Sequence, residues 1–472
     1  MADSLPDQSV GQQLDALYEE AGHWHVNTGK ETIHAKRVDG RFRRLKWWAS
    51  SVWLIFFLGP YLRWDDRQAV LFDIPNRQYH LFGVTVLPQD FWMLSLLLLF
   101  FAILLAVVTA TAGRVWCGYF CFQTVWTDLF TLIEEWFEGP PQARRKLDAA
   151  PWTTQLRVKL PKHLLWLLIG ALTGVGFVAW FTDSWALWGQ LFRLELPLVA
   201  YVTVAVFAAF TYVFAGHMRE QVCFWLCPYA RLQGVMYDRE TILPTYDRAR
   251  GEPRGRSLKG GDAGALGDCI DCRQCVAVCP TGIDIRVGQQ EGCITCALCL
   301  DACDAVMDKV GRPRGLIRYA SYDEMEGVPQ PALWQRPRVI VYAAIMSLAL
   351  AGIVYGLGTL STLELNVLHE RQPLFVLQSD GSIQNRYTLK LLNKTTVELR
   401  VAVTVAGLPG LELAGAEAPI AVPAGRVASV VVFARLPRAR LGAAYSPLTF
   451  HVQAVDDPAI GHAVDSVFVG PG

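Results

Sequence analysis

Long apolar runs set the plan of this chain. Phe91–Ala112 reads FWMLSLLLLFFAILLAVVTATA, without one charged residue, and about 20 apolar residues suffice to cross a bilayer. His163–Phe181, Leu198–Ala215 and Val339–Leu357 are three further runs; Trp47–Trp64 is a fifth, interrupted by Gly59-Pro60 and ended by Arg63. The pattern predicts a membrane α-helical bundle of five transmembrane helices. Thr127–Phe137 (TDLFTLIEEWF) has apolar positions at helical spacing, which predicts an amphipathic helix on the membrane surface or against the bundle. Gly170/Gly174 and Gly352/Gly356 have the GxxxG spacing that lets helices approach closely, inside the chain or in a homodimer. Trp47, Trp48, Trp180 and Trp185 read as aromatic anchors at the membrane faces.

Beyond about Thr359 the period changes from that of helix to that of strand. Leu363–Leu368, Arg386–Leu392, Val397–Val405, Val427–Phe433, Leu448–Val455 and Ala463–Val469 are short alternating or β-branched runs, parted by turn signals such as Ser379-Asp380-Gly381 and Leu408-Pro409-Gly410. They predict a C-terminal immunoglobulin-like β-sandwich of about seven strands. It holds no Cys, so an inter-sheet disulfide is not expected.

Charge gives the expected orientation. The 43 basic and 43 acidic side chains cancel, and charged residues are only 18% of the chain. That balance excludes a disordered protein and offers no basic field for nucleic acid. Lys and Arg alternate along the flanks of the runs: seven in 1–46, three in 63–90, seven in 113–162, one in 182–197 and sixteen in 216–338. The positive-inside rule then predicts a cytoplasmic N-terminus and a C-terminal domain on the opposite side. No cleavable leader is expected, because 1–46 is polar and the first apolar run is span-length. The expected organisation is a cytoplasmic arm (1–46), four helices (47–216), a cytoplasmic segment with a linker (217–267), a cysteine domain with its connector (268–338), a fifth helix (339–358) and the sandwich (359–472). Within the linker, Gly251–Gly267 is rich in Gly and Arg and reads as flexible.

All twelve Cys fall between residues 117 and 303, on the side predicted to be cytoplasmic. A reducing compartment favours metal ligation over disulfides. Cys269, Cys272, Cys275 and Cys279 form one C-x2-C-x2-C-x3-C run, and Cys293, Cys296, Cys299 and Cys303 form a second. This is the spacing of bacterial two-cluster ferredoxins, in which the fourth Cys of each run serves the other cluster. One [4Fe–4S] cluster would use Cys269, Cys272, Cys275 and Cys303; the other, Cys293, Cys296, Cys299 and Cys279. Zinc knuckles are the competing reading. Asp304 stands where the first run has Pro280.

The remaining four thiols are Cys117 and Cys121 (CGYFC) and Cys223 and Cys227 (CFWLCP), each pair just after a run that exits to the cytoplasm. Soft thiolates in such an array select Cu(I), zinc or an iron–sulfur cluster; buried small hydrophobes are the alternative. His23, His25 and His217 are weaker ligand candidates.

The combination resembles the cytochrome c oxidase accessory protein family, the CcoG/FixG/RdxA group. The matching stretches are GRFRRLKWW at 40–48, CGYFCFQTVWTDLF at 117–130, CPYARLQGVMYDRETILPTYDRARGEPRG at 227–255 and both cysteine runs. Phe122 departs from the Pro that commonly follows the second Cys of the first pair. The resemblance implies a multi-pass protein of the bacterial inner membrane, with a cytoplasmic ferredoxin domain, two [4Fe–4S] clusters and a periplasmic sandwich. It implies a cupric reductase, with copper as substrate or bound ion at Cys117, Cys121, Cys223 and Cys227, serving biogenesis of the cbb(3)-type oxidase. Expected partners are the lipid bilayer, copper ions, oxidase-assembly or copper-delivery proteins and an electron donor. A quinol-linked respiratory subunit and a non-catalytic assembly scaffold are the competing functions.

Overall fold

Four helices among the described residues are long and apolar enough to cross a bilayer: Trp92–Ala112, Trp152–Val178, Leu198–Met218 and Pro337–Thr359. The structure, a computed structural model, describes residues 35–64, 67–75, 78–82, 84–86, 91–255, 266–359, 361–395 and 397–471. His23-Trp24-His25, most of the N-terminal arm and the middle of the Gly/Arg-rich linker lie outside them. The four helices cover four of the five apolar runs. The second begins at Trp152, well before the run at His163, because Lys and Arg at its start continue the helix without continuing the hydropathy.

The fifth run, expected as a helix over Trp47–Trp64, differs. Helix spans Arg41–Ser50, a 3₁₀ turn occupies Ser51–Trp53, helix resumes over Leu54–Leu58, and Gly59–Tyr61 is 3₁₀ again. Pro60 has no N–H to continue the ladder, and Arg63–Trp64 already pairs as strand with Arg67–Gln68. This stretch is therefore a broken helix, not a single long one.

The chain folds as two compact units. One holds residues up to Pro60, Leu96–Trp180 and Ser184–Leu350; the other holds Tyr61–Ser95, Phe181–Asp183 and Ala351–Gly472.

In the first unit, Trp152–Val178 packs along Leu198–Thr211. A Cβ added to Gly170 would stand 2.9 Å from the Ala208 carbonyl oxygen, and one on Gly174 would stand 2.8 Å from Val204 Cα. This GxxxG is thus spent on helix contact inside the chain. The amphipathic stretch is the helix Phe122–Glu138, which lies against the bundle. It buries Val125, Trp126, Phe130 and Ile133 around Trp166 and Ala215.

The same helix buries two carboxylates. Glu134 receives Arg144 (2.9 Å), Arg219 (2.9 Å) and Lys162 (3.3 Å), and Glu138 receives Lys162 (2.5 Å). Asp128 receives Arg43 (2.7 Å), Arg37 (3.1 Å) and Lys46 (3.7 Å) from the N-terminal segment. That segment is also held at its helix start, where Asp301 accepts from the Phe42 and Arg43 backbone N–H groups at 3.2 and 2.9 Å. A carboxylate there satisfies orphan donors and complements the helix dipole.

The cysteine domain belongs to this unit. Leu243–Tyr246 pairs antiparallel with Ile317–Ala320, and this two-stranded frame brackets both cysteine runs. The helices Gln274–Ala277 and Leu298–Val310 cross the core between Ile270, Ile283, Ile285, Val306, Met307 and Leu316.

In the second unit, two antiparallel sheets form the sandwich. One runs Glu412–Ala414, Val427–Pro437, Ser382–Asn393, Leu363–His369, with Val376–Leu377 also on Ser382–Asn393; the other runs Ile420–Val422, Leu399–Ala406, Tyr445–Ala454, Gly461–Val469. Alternate residues face inward, including Tyr387, Leu389, Leu391, Val401, Phe450 and Phe468. Buried Asn385 links the sheets, donating to the Val469 carbonyl (2.7 Å) and accepting from its N–H (2.8 Å). The same unit holds a three-stranded meander, Val70–Asp73, Gln78–Leu81 and Val84–Val86.

Burial would raise the Glu134 carboxyl, but Arg219, Arg144 and Lys162 together hold it at about 2. Removing one partner from such a buried network costs about 3–5 kcal/mol. Glu134→Gln is expected to lower stability by that amount, read as the unfolding midpoint in detergent. Because its folded pKa lies below its ordinary 4.5, the contribution of Glu134 is present above pH 4.5 and is lost as pH falls toward 2. The gap between wild type and Glu134→Gln should narrow over that window.

Candidate metal and electron-transfer site

The two cysteine runs repeat one loop conformation. In the first, Asp271 and Arg273 flank Cys272 with φ of 53° each; in the second, Thr295 and Ala297 flank Cys296 with φ of 57° and 59°. Left-handed residues on both sides of the middle Cys turn successive backbone N–H groups toward one centre, which makes an anion-binding nest. The sulfurs receive those donors. Backbone N–H groups of Gln274, Thr295, Leu298 and Ile317 point at Cys272, Cys293, Cys296 and Cys303 respectively.

Each loop lines a separate small cavity. One is walled by Cys269, Cys272, Cys275 and Cys303, with Tyr246 and Met307. The other is walled by Cys293, Cys296, Cys299 and Cys279, and Cys275 also reaches it. The fourth Cys of each run thus lies on the wall of the cavity formed by the other run, because Gln274–Ala277 and Leu298–Val310 carry them across. Burial pushes Cys293 and Cys303 up to about 12, so these thiols stay protonated until a cationic centre displaces the protons. Each cavity presents four thiols, and a cube of four irons, each taking one thiolate, fits that donor set.

The other four thiols converge as well. Burial pushes Cys117 up to about 12, and Cys121, Cys223 and Cys227 all lie close enough to add to that rise. Cys223 is pushed to about 12 by burial, then by Cys121 and Cys227. Cys121 and Cys227 occupy equivalent places: each is the extended residue before a helix, Phe122–Glu138 and Pro228–Gly234. Phe122 therefore opens its helix where the second motif has Pro228. His217 stands in an aromatic group with Tyr212 (5.0 Å), His163 (5.9 Å) and Trp166 (6.0 Å).

Four residues other than cysteine complete the site. Gln233 is fully buried; its Oε1 accepts from Cys117 Sγ at 3.2 Å and its Nε2 donates to Thr109 Oγ1 at 3.2 Å. Arg114 joins three segments. Its backbone N–H donates to Thr295 Oγ1 (3.0 Å), Nη1 to the Glu291 carbonyl (2.5 Å) and Nη2 to the Ala230 carbonyl. Tyr119 donates to the Cys296 carbonyl (3.2 Å) and Tyr319 to the Thr295 carbonyl (2.7 Å). Between them Gly118 has no room for a side chain: a Cβ would meet the Ile294 carbonyl oxygen at 2.6 Å and the Cys296 nitrogen at 3.1 Å. The CGYFC segment thus lies backbone to backbone on the Cys293–Cys296 loop. Sequence reasoning had no handle on these four, although Arg114 and Tyr119 neighbour Cys117 and Gln233 closes CPYARLQ.

Two outcomes follow. Cys279→Ala should disturb the EPR signal of the cluster held by Cys293, Cys296 and Cys299 more than that of its own run; the reverse would refute the crossing. Arg114→Gln should cost about 3 kcal/mol or more, because its guanidinium donates to two carbonyl oxygens and hydrogen bonds to a charged group contribute about 1.5–3 kcal/mol each. The readout is a lower unfolding midpoint together with loss of visible cluster absorbance.

Known proteins match along the whole plan. A 4Fe-4S dicluster domain matches residues 218–322, a 4Fe-4S binding domain matches 94–139, and the IG-like fold at the C-terminal of FixG, putative oxidoreductase, matches 353–471. The nitrogen fixation protein FixG of Rhizobium meliloti is 41% identical over 462 residues, 88% of each chain. Protein RdxA of Cereibacter sphaeroides is 43% identical over 409 residues, 82% of this chain and 86% of its own; protein RdxB of the same organism is 42% identical over 463 residues, 94% and 97%. With two cluster-sized cysteine cavities, four membrane-length helices and a C-terminal sandwich, this chain belongs to the FixG/RdxA family of membrane iron–sulfur electron-transfer proteins.

Proposed function

We propose that this protein reduces Cu(II) to Cu(I) at Cys117, Cys121, Cys223 and Cys227, and that the product serves biogenesis of a cbb(3)-type oxidase. The observation that carries the reading is the seating of the CGYFC segment, through Gly118, on the Cys293–Cys296 loop. It brings the four-thiol site against the wall of one cluster cavity, where single-electron transfer needs the shortest path. Bound [4Fe–4S] clusters supply single electrons at potentials from about −700 to +450 mV. The thiols of this chain supply the selectivity: soft sulfur holds Cu(I) more tightly than oxygen ligands do. Each tenfold preference for the reduced ion raises its potential by about 59 mV. One electron enters per copper, and one Cu(II) becomes one Cu(I).

In this reading the cavity of Cys269, Cys272, Cys275 and Cys303 faces the electron donor, and the cavity of Cys293, Cys296, Cys299 and Cys279 faces the thiols. The N-terminal segment and the cysteine domain are cytoplasmic, the sandwich is periplasmic in a bacterial inner membrane, and the broken helix at 41–61 is the fifth membrane element. Copper-delivery or oxidase-assembly proteins take the product.

A second reading has support of its own. The 4Fe-4S binding domain that matches 94–139 contains only Cys117 and Cys121, which favours a third iron–sulfur centre at the four thiols. Anaerobic purification with iron, sulfide and copper quantitation separates the two. Copper reduction predicts about eight irons per chain. Cys→Ala changes at the four positions should then abolish Cu(II) reduction while leaving that iron in place. A third centre predicts about twelve irons, falling to about eight in the same variants.

A further inference from the structure

A further cavity of the first unit is distinct from the two cluster cavities. It lies between the N-terminal segment, the helix Phe122–Glu138 and the stretch Arg219–Cys223, and encloses about 600 Å³ including its open mouth. Its walls carry Lys36, Arg37, Arg43, Lys46 and Arg219 against two carboxylates, Asp128 and Glu220. Asp128 already serves three of those cations. Glu134, behind the wall, takes Arg219 but also Arg144 and Lys162. Among the described residues, and counting in Glu134, Glu135 and Glu138 with Arg144 and Lys162, seven cations stand with five carboxylates around this cavity.

Two of the guanidiniums are also short of acceptors. Arg43 is 7% exposed and Arg219 is 4% exposed. Arg43 uses Nη1 on Asp128; Arg219 uses Nε on the Gly216 carbonyl and Nη2 on Glu134. Among the described residues, buried Arg43 Nε and Arg219 Nη1 have no hydrogen-bond partner. A buried charged donor left unpaired is costly, and two such donors belong to residues that line one cavity, among further cations, which defines what would relieve them. Val278, Ile294 and Leu298 give the cavity an apolar side, and Gln123, Thr124, Thr127, Thr131 and Thr281 add uncharged polar groups to the wall.

We propose that this cavity binds an oxyanion, a phosphate or carboxylate group that accepts from Arg43 and Arg219 and is drawn in by Lys36 and Arg37. Guanidinium forks suit both groups. Cys223 lies on the same wall, so the ligand sits beside the four-thiol site. The positive wall disfavours a bare divalent cation on this route. The oxyanion has two possible sources: a soluble anion, or the headgroup of an acidic lipid, since basic pockets at membrane-helix ends take such headgroups.

The test uses the full-length protein with its clusters intact. Citrate and inorganic phosphate are titrated calorimetrically in an uncharged detergent at fixed chloride. In parallel, unfolding midpoints are compared in phosphatidylcholine nanodiscs with and without phosphatidylglycerol. Lys36→Gln tests the site without touching the ion pairs of Asp128, Arg37→Gln removes one of the three cations on Asp128 and leaves Arg43 and Lys46 in place, and cluster absorbance reports that both variants have folded. Saturable citrate or phosphate binding, weakened about tenfold by each variant, supports a soluble ligand. A higher midpoint in phosphatidylglycerol discs alone, abolished by the variants, supports a lipid headgroup. No response to either probe, or a response that both variants leave unchanged, overturns the proposal.

Discussion

One buried arginine holds the redox half of this protein together. Arg114 follows the first long membrane helix and precedes Cys117, and it reaches the Cys293–Cys296 loop through Thr295 and Glu291 and the segment after Cys227 through Ala230. Those are the three pieces of chain that carry a four-thiol site and one cluster cavity. A guanidinium is suited to the task because its donors point in fixed, divergent directions and keep their charge when buried. The contact also requires that Gly118 have no side chain, since the two backbones meet there. Cluster cavity and thiol site are therefore set against each other by main chain, which moves less than side chains do.

The buried charge of the bundle serves the same end. Asp128 and Glu134, six residues apart on one helix, each gather three cations from other parts of the chain. Burial would raise both carboxyls, yet the cations hold both at about 2. Such pairs do little for net stability compared with an apolar core, because desolvation offsets attraction. They do make the arrangement specific: the Arg37–Lys46 segment can dock only where Asp128 and Asp301 await it. Cations from both groups line the anion-seeking cavity.

The two cysteine loops show how local strain and cluster chemistry go together. Asp271, Arg273, Thr295 and Ala297 all take left-handed backbone that only Gly adopts freely. Such conformations persist where the surroundings over-determine them. Here the surroundings are paired: Arg286 bonds Asp271 at 2.5 Å, and Arg114 bonds Thr295 at 3.0 Å. The nests formed in return present N–H groups to sulfur.

Hydropathy alone was enough for four membrane helices, because each is a long unbroken apolar run, and alternation alone was enough for the sandwich strands long enough to show a period. Val376–Leu377, Glu412–Ala414 and Ile420–Val422 are too short to carry one, and the meander between residues 70 and 86 lay inside what read as a loop. The sequence showed Gly59-Pro60 as an interruption of the run after Trp47, but not the 3₁₀ turn at Ser51–Trp53 that breaks the helix ahead of it. Cysteine spacing made two cluster loops legible, since three thiols and their turns are adjacent in sequence. Only the tertiary structure brought Cys117 and Cys121 to Cys223 and Cys227, more than 100 residues away. Arg114, Gly118, Gln233 and the basic cavity were likewise invisible. Each is defined by a partner distant along the chain, and one-dimensional periodicity carries no information about contacts of that range.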